Sequence, residues 1–443
     1  MRRRTFLSRI VLFVLLSIAF VFSITAVASA ATTIYVDDSN RKGVEDGTQQ
    51  HPYTTIGGAL DVASFGDTVF VYKGTYREEV SLVHGVSLQG ENVKNTRIWG
   101  NIEGPGVGNL SVKNFSIIGD VLLEYPPEQY PREPVEIARN NIRGNIDVFL
   151  TQANIRGNDI RGGISVSISG AGNTTFITNN KIHHGFGIFC STDSDVEIVG
   201  NEIYRSRIGI RTQRSGVTVD DAYTIPIRNN NIHHNADYGL NLTASDYETT
   251  FVVIGNRIWA NGKGGISLRD IIAESNVSKA YVINNLILNN SGPGVSLFED
   301  SALEASIINN TLIGNSGGIA RLQPTYPNWY PRPLTVDIVN CILWRNGADL
   351  VGVQATYSNI ESGDAGEGNI SVNPRLDNNY CPRPGSPVFD NGNNAVVQTP
   401  LVDHVGQVIA GGITTDFYGN PRIVDGNGDG QAIVDMGACE FMP

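Results

Sequence analysis

The feature that most constrains this chain is a recurring asparagine. An aliphatic residue, two further residues, Asn, one residue and another aliphatic recur as Ile137/Asn140/Ile142, Ile155/Asn158/Ile160, Ile177/Asn180/Ile182 and Ile198/Asn201/Ile203. The pattern continues as Ile227/Asn230/Ile232, Val253/Asn256/Ile258, Val282/Asn285/Ile287 and Ile307/Asn310/Leu312, with a degenerate copy at Asn340/Ile342. Asn140 to Asn340 is 200 residues over eight steps, a mean period of about 25. Five to nine residues after each Asn comes Gly plus an aliphatic, as in Gly163-Ile164, Gly187-Ile188, Gly209-Ile210, Gly239-Leu240, Gly265-Ile266, Gly294-Val295 and Gly318-Ile319.

Each period therefore holds three short alternating runs, which read as strands with one buried face. The 49 Gly and 43 Asn weigh against a helical protein, because both are poor helix formers. Both tolerate left-handed backbone, so they mark corners. A single such coil cannot bury its apolar face. Stacked coils about 4.8 Å apart pair backbone with backbone and Ile with Ile. The Asn corners then form an internal amide ladder. The prediction is all-β: a solenoid of stacked parallel strands, three strands per coil and about 10–12 coils.

The ends are read differently. Residues 1–9 carry Arg2, Arg3, Arg4 and Arg9, residues 10–27 are almost wholly apolar, and Ala28-Ser29-Ala30 precedes Ala31. This is the layout of a signal peptide over 1–30; the alternative is an uncleaved N-terminal anchor helix. Cleavage would change the formal net charge from −12 to about −16, with no membrane span left in the mature chain. Residues 31–80 are assigned to an N-terminal cap with a short amphipathic helix near Thr55–Ala63, which protects the exposed strand edges. Residues 81–380 carry the repeats and 381–443 a C-terminal cap. Four Cys allow three pairings. Cys381 with Cys439 is the favoured bridge, and four buried thiols remain the alternative.

The order of strand, Asn corner, strand, Gly-led strand and long turn resembles the pectin-lyase-like superfamily of secreted proteins, which implies a single-stranded right-handed parallel β-helix. Residues 32–76 resemble the capping region of secreted bacterial and archaeal β-helix proteins. NCILWRNGADL (340–350), GNISVNPRL (368–376), GSPVFDNG (385–392) and VDMGACEF (434–441) resemble the C-terminal region of choice-of-anchor β-helix proteins. Those relatives often carry a sorting tail, which is lacking here, so free secretion is expected. The resemblance implies that the Gly-led strands form the first sheet, that the Asn corner joins the second and third, and that substrate runs along the first sheet.

Alternation on the Gly-led strands points Phe189, Arg211, Gln213, Asn241, Thr243, Ser267, Arg269, Ser296 and Phe298 outward. Acids follow at Asp246, Asp270, Glu299 and Asp300, and aromatics at Tyr125, Tyr130, Tyr326, Trp329 and Tyr330 sit in the long turns. A strip of Arg, amides and aromatics fits a polysaccharide. The function expected is a secreted or cell-surface polysaccharide binder with Tyr125, Tyr130, Asn241, Tyr326, Trp329 and Tyr330 in contact. The alternative is a lyase or epimerase on a uronic-acid glycan, with catalytic candidates Arg211, Arg269, Asp246, Asp270, Glu299 and Asp300. No pectate lyase, alginate epimerase or polygalacturonase motif is present, and Asp220-Asp221 is an isolated pair. His183-His184 and His233-His234 occupy equivalent repeat positions and reflect repeat ancestry more simply than metal binding. DGNGDG (425–430) offers Asp425, Asn427 and Asp429 for calcium, with Asp435 standing in for the Glu of a calcium loop. The acidic balance argues against nucleic acid. The chain is expected to be a monomer.

Overall fold

The computed structural model describes residues 31–105, 110–124, 134–149, 152–168, 174–192, 195–213, 223–244, 249–270, 277–298, 302–323, 334–403 and 405–443. Residues 33–443 form one compact unit. It is a right-handed parallel β-helix.

The strand before each Asn corner belongs to a parallel sheet of 13 strands, here the second sheet, from Thr33–Val36 to Leu334–Val339. The strand after the corner belongs to the third sheet and the Gly-led strand to the first. The long strands Asp159–Ile168 and Lys181–Thr192 run round the intervening bend and join these two sheets. The solenoid begins at Thr33, inside the segment that the sequence assigns to the cap. Its open end is closed by the helix Ile56–Leu60, shorter than expected, whose Ile56, Ala59 and Leu60 are buried and whose N-cap Thr55 accepts from Gly58 N.

Aliphatic columns fill the shaft. Ile155, Ile177, Ile198 and Ile227 stack in the second sheet, and Ile160, Ile182, Ile203 and Ile232 in the third, all fully buried. Between them runs the Asn ladder. Asn180 N donates to Asn201 Oδ1 at 2.9 Å, Asn201 N to Asn230 Oδ1 at 2.8 Å, and Asn230 N to Asn256 Oδ1 at 2.9 Å. Each Nδ2 donates to a carbonyl of the preceding coil, as Asn230 Nδ2 does to Ile198 O at 2.8 Å. Every buried polar atom of the corner is thereby paired, which a parallel solenoid requires.

The residue just before each ladder Asn takes the left-handed backbone: Asn179 has φ 54°, Gly200 69°, Asn229 56°, Gly255 66° and Asn284 53°. This corrects the ninth repeat. Asn340 (φ 56°) falls in that slot, and Cys341 takes the ladder position, donating its N–H to Ser358 Oγ at 2.9 Å. Among the leading Gly of the first sheet Gly187 has a left-handed φ of 91°, whereas Gly239 and Gly265 have another cause. A Cβ on Gly239 would lie 2.5 Å from Ile258 Cγ2, and one on Gly265 2.5 Å from Gly294 O. They are Gly because the shaft is full there.

A second ladder went unread. Asn235, Asn261, Asn290, Asn315 and Asn346 pair rung to rung at the bend between third and first sheets, with N–H to Oδ1 distances of 2.9–3.1 Å. Its signal was a second Asn five residues after the ladder positions 230, 256, 285 and 310.

The C-terminal segment is a lateral cover rather than an end cap. Ala438 packs on Leu286 and Leu288 of the third sheet, Val388 and Met436 on Ile342, and Val397, Leu401, Ile413 and Val434 on Ile283 and Ile308 of the second. Polar pins join it to the shaft: Asn284 Nδ2 donates to Thr415 O at 2.7 Å, and Asn309 Nδ2 to Asp435 O at 2.9 Å. Arg422 is buried with Glu440, its Nη1 2.9 Å from Glu440 Oε2, and its Nη2 donates to Asn284 Oδ1 at 2.6 Å. Cys381 and Cys439 form a disulfide with Cα atoms 5.1 Å apart, while Cys190 and Cys341 are free and buried.

Candidate functional site

The outer face of the first sheet carries one column in strict register: Asp147, Ser165, Phe189, Arg211, Asn241, Ser267 and Ser296. Thr243 and Arg269 form part of a neighbouring column. The alternation rule therefore places Phe189, Arg211, Asn241, Thr243, Ser267, Arg269 and Ser296 on the outer face as expected. Ser267 and Ser296 are nonetheless buried, whereas Asn241 is partly open.

Two cation–ring pairs mark this face. The Arg211 guanidinium lies 5.4 Å from the Phe189 ring centre, and its Nη2 donates to Gln213 Oε1 at 2.6 Å. The Arg269 guanidinium lies 5.4 Å from the Phe298 ring centre. Such pairs hold a flat hydrogen-bonding group over an apolar plate.

Beside the first pair lies a cleft of about 310 Å³, lined by Asp147, Ser165, Phe186, Phe189, Arg207, Ile208 and Arg211. Phe186 lies over Gly163, where a Cβ would meet its ring at 2.6 Å. Burial, and secondarily the charge of Asp120, pushes the Asp147 carboxyl above the ordinary carboxylate range. The cleft thus sets a carboxyl of raised proton affinity, guanidinium groups and two aromatic rings around one opening.

Asp147, Phe186 and Arg207 were missed. The strand Ile146–Phe149 has Asn145 in place of the leading Gly, so the repeat template stopped one coil too late.

Asp270 requires correction. It is fully buried and its Oδ2 accepts from Ser278 N at 3.3 Å. With Arg269 outward, the next residue must point in. Asp246, Glu299, Asp300, Tyr125, Tyr130, Tyr326, Trp329 and Tyr330 lie outside the described residues, as do Asp220 and Asp221.

The acidic loop near the C-terminus does not gather its four sequence candidates. The Asp425 carboxylate accepts from Gly428 N at 2.7 Å and Gly430 N at 2.8 Å, and Asn427 Nδ2 donates to Asp429 Oδ2 at 3.2 Å. Asp435 is turned into the cover, accepting from Asp390 N at 2.9 Å and Phe441 N at 2.7 Å. Burial, with the neighbouring Glu440 charge, pushes its carboxyl up to about 8. The side chains left at the loop are two carboxylates and one amide. Among the described residues no cluster of three His, Cys, Asp or Glu side chains is placed to hold a metal ion.

The His pairs do not point to opposite faces. His184 and His234 occupy left-handed corners (φ 61° and 54°), which swing each ring back onto its neighbour. His183 Nδ1 lies 2.7 Å from His184 Nδ1, and His233 Nδ1 2.9 Å from His234 Nδ1.

Fold and site together define the class: a parallel β-helix with an open, mixed polar and aromatic first-sheet face. A family model described as "Right handed beta helix region" matches residues 133–270 and 227–324. Among solved structures, the catalytic domain of GH87 alpha-1,3-glucanase in complex with nigerose is 11% identical with a TM-score of 0.52, over 73% of this chain and 66% of that one. The chain thus covers just under two thirds of that domain. The Azotobacter vinelandii mannuronan C-5 epimerase AlgE6 A-module is 15% identical with a TM-score of 0.48, over 72% of this chain and 94% of that module. Pectate lyase Pel9A is 14% identical with a TM-score of 0.38, over 94% and 97%. At these identities the likeness is one of fold. No curated protein matches the chain.

Proposed function

We propose that this chain is an exported β-helix protein that binds polysaccharide along its first sheet. The observation that carries the reading is the cleft of about 310 Å³ walled by Phe186, Phe189 and Arg211. Aromatic plates take the C–H faces of a sugar, and the guanidinium, Ser165 and Asn241 meet its hydroxyls. The glucanase that shares the fold was solved with a glucose disaccharide, nigerose, which supports a neutral glucan as the first ligand to try. Export is supported by the basic, apolar and small-residue succession over 1–31. No helix among the described residues is long and apolar enough to cross a membrane.

The test is retention in affinity gels containing a panel of neutral and acidic polysaccharides. Wild type is expected to be retarded by at least one of the neutral polymers, and Phe189→Ala with Arg211→Gln to lose most of that retardation. Equal mobility of variant and wild type in every gel would remove the first sheet as the binding face.

A second reading is favoured by Asp147 alone. A carboxyl whose proton affinity is raised by burial in a partly closed cleft leans towards general acid catalysis. An enzyme would release reducing ends or unsaturated uronates from one of the same polymers, and Asp147→Asn would abolish the release while leaving retardation unchanged.

A further inference from the structure

The chain carries 44 acidic and 32 basic side chains, yet one face reverses that balance. On the outer side of the third sheet, exposed Arg97, Arg143, Arg161, Lys181 and Arg257 stand on five of the eight rungs from Thr96–Trp99 to Arg257–Trp259. The acids in register with them, Asp159 and Glu202, are each faced by a histidine: His183 Nε2 lies 2.8 Å from Asp159 Oδ1, and His233 Nε2 3.5 Å from Glu202 Oε1.

Down the middle runs a ridge of rings. His183 stacks on Tyr204 at 5.2 Å, Tyr204 on His233 at 5.3 Å and His233 on Trp259 at 4.6 Å. Lys181 and Arg257 lie 5.6 Å from the Tyr204 and Trp259 rings. Further up, Arg77 sits 3.8 Å over Trp99, itself 43% exposed, beside a cleft of about 580 Å³ that also holds Lys94, Arg97 and Arg143. The strip ends where the cover begins, because the next rung presents Leu286 and Leu288 to Ala438.

We propose that this uncovered half of the third sheet is a second binding face, and that it takes an acidic polysaccharide, a chain bearing one carboxylate or sulfate per sugar or so. From Arg97 to Lys181 the cations are spaced one or two rungs apart, about 5–10 Å, and Arg257 stands three rungs beyond Lys181. That spacing suits one charge per sugar and not the phosphate density of a nucleic acid, about one per 1.7 Å of duplex. Stacked rings give a stiff apolar ridge at little entropic cost, and the flanking cations select the anion. The inference does not rest on the first-sheet reading, since it uses another face and other residues.

The experiment uses the whole mature chain in affinity gels containing polygalacturonate, heparin or a neutral α-glucan, with single-stranded DNA as competitor. Wild type is expected to be retarded by one or both acidic polymers. The retardation should fade towards 1 M salt, where screening shrinks to about 3 Å. Arg143→Gln combined with Arg161→Gln should weaken acidic binding about tenfold, the scale of two exposed ionic contacts, and leave any neutral binding and the melting midpoint unchanged. Arg211→Gln on the first sheet should leave acidic binding intact. The proposal is overturned by any one of three results: no retardation by either acidic polymer, the double variant binding like wild type, or loss of acidic binding in Arg211→Gln but not in the double variant. Displacement by DNA at equal or lower charge concentration would likewise overturn it in favour of a general polyanion patch. A polygalacturonate-only or heparin-only response names the anion as carboxylate or sulfate.

Discussion

Two adjacent rungs of the third sheet, Arg257-Ile258-Trp259 and Leu286-Ile287-Leu288, share an interior and differ outside. Ile258 and Ile287 stack in register, and Asn256 N donates to Asn285 Oδ1 at 2.8 Å. Outside, Arg257 is exposed, whereas Leu286 and Leu288 are buried under the C-terminal cover. The interior pattern sets the coil, and the outward residues decide whether that coil stays open or receives another segment. The left-handed corner residue makes the same choice. Asn284, Asn309 and Asn340 donate outward to backbone carbonyls of the cover, while the upstream corner passes through Gly255 with no side chain to offer.

The largest expected effect breaks the covered half alone. Arg422→Met removes the bonds to Asn284 and Glu440 and leaves Asp435 and Glu440 buried without their countercharge. A loss of about 3–5 kcal/mol is expected, seen as a lower urea midpoint and rapid proteolysis within 391–443. A resistant, unshifted variant would mean that apolar contacts hold the cover unaided.

Next comes the shared interior. Asn230→Ala strands Asn201 N–H and Ile198 O, and should cost about 2–4 kcal/mol. Asn285→Ala strands the equivalent Asn256 N–H and Val253 O. If the interior is indifferent to the cover, urea unfolding will show the two costs equal within about 1 kcal/mol. A much larger cost at Asn285 would show that the cover leans on the ladder.

A third effect on the covered half is expected from pH. Asp435 and Glu440 both hold their protons more tightly folded than unfolded, through burial first. Folding is therefore linked to proton uptake by this cluster, so its contribution is greatest in acid. It falls as pH rises from the ordinary carboxylate range through about 8, and is flat above. Thermal melts across that window should show a midpoint lowered by a few degrees, and Asp435→Asn should flatten the slope.

Much of the shaft was legible because a parallel solenoid repeats its constraints in the chain. Asn180, Asn201 and Asn230 do stand on successive rungs. Period-two alternation named Arg211 and Arg269 as outward, and the same rule, carried one residue further, turns Asp270 inward. The second ladder was hidden by the stronger first one. The covered rungs had a signal too: Leu286-Ile287-Leu288 abandons alternation, which means both faces are buried.

The sequence by itself determined the coil, its inner columns and its corners, since each is a local choice made again about every 25 residues. Only the tertiary structure decided what lies across coils and along the flank. It brought Asp147 into one cleft with Arg211, aligned His183, Tyr204, His233 and Trp259 into a ridge, and laid residues 388–438 against the side of the shaft. Those contacts join residues tens to over a hundred positions apart, and their register is set by how many residues each turn loops out, a quantity that no local pattern encodes.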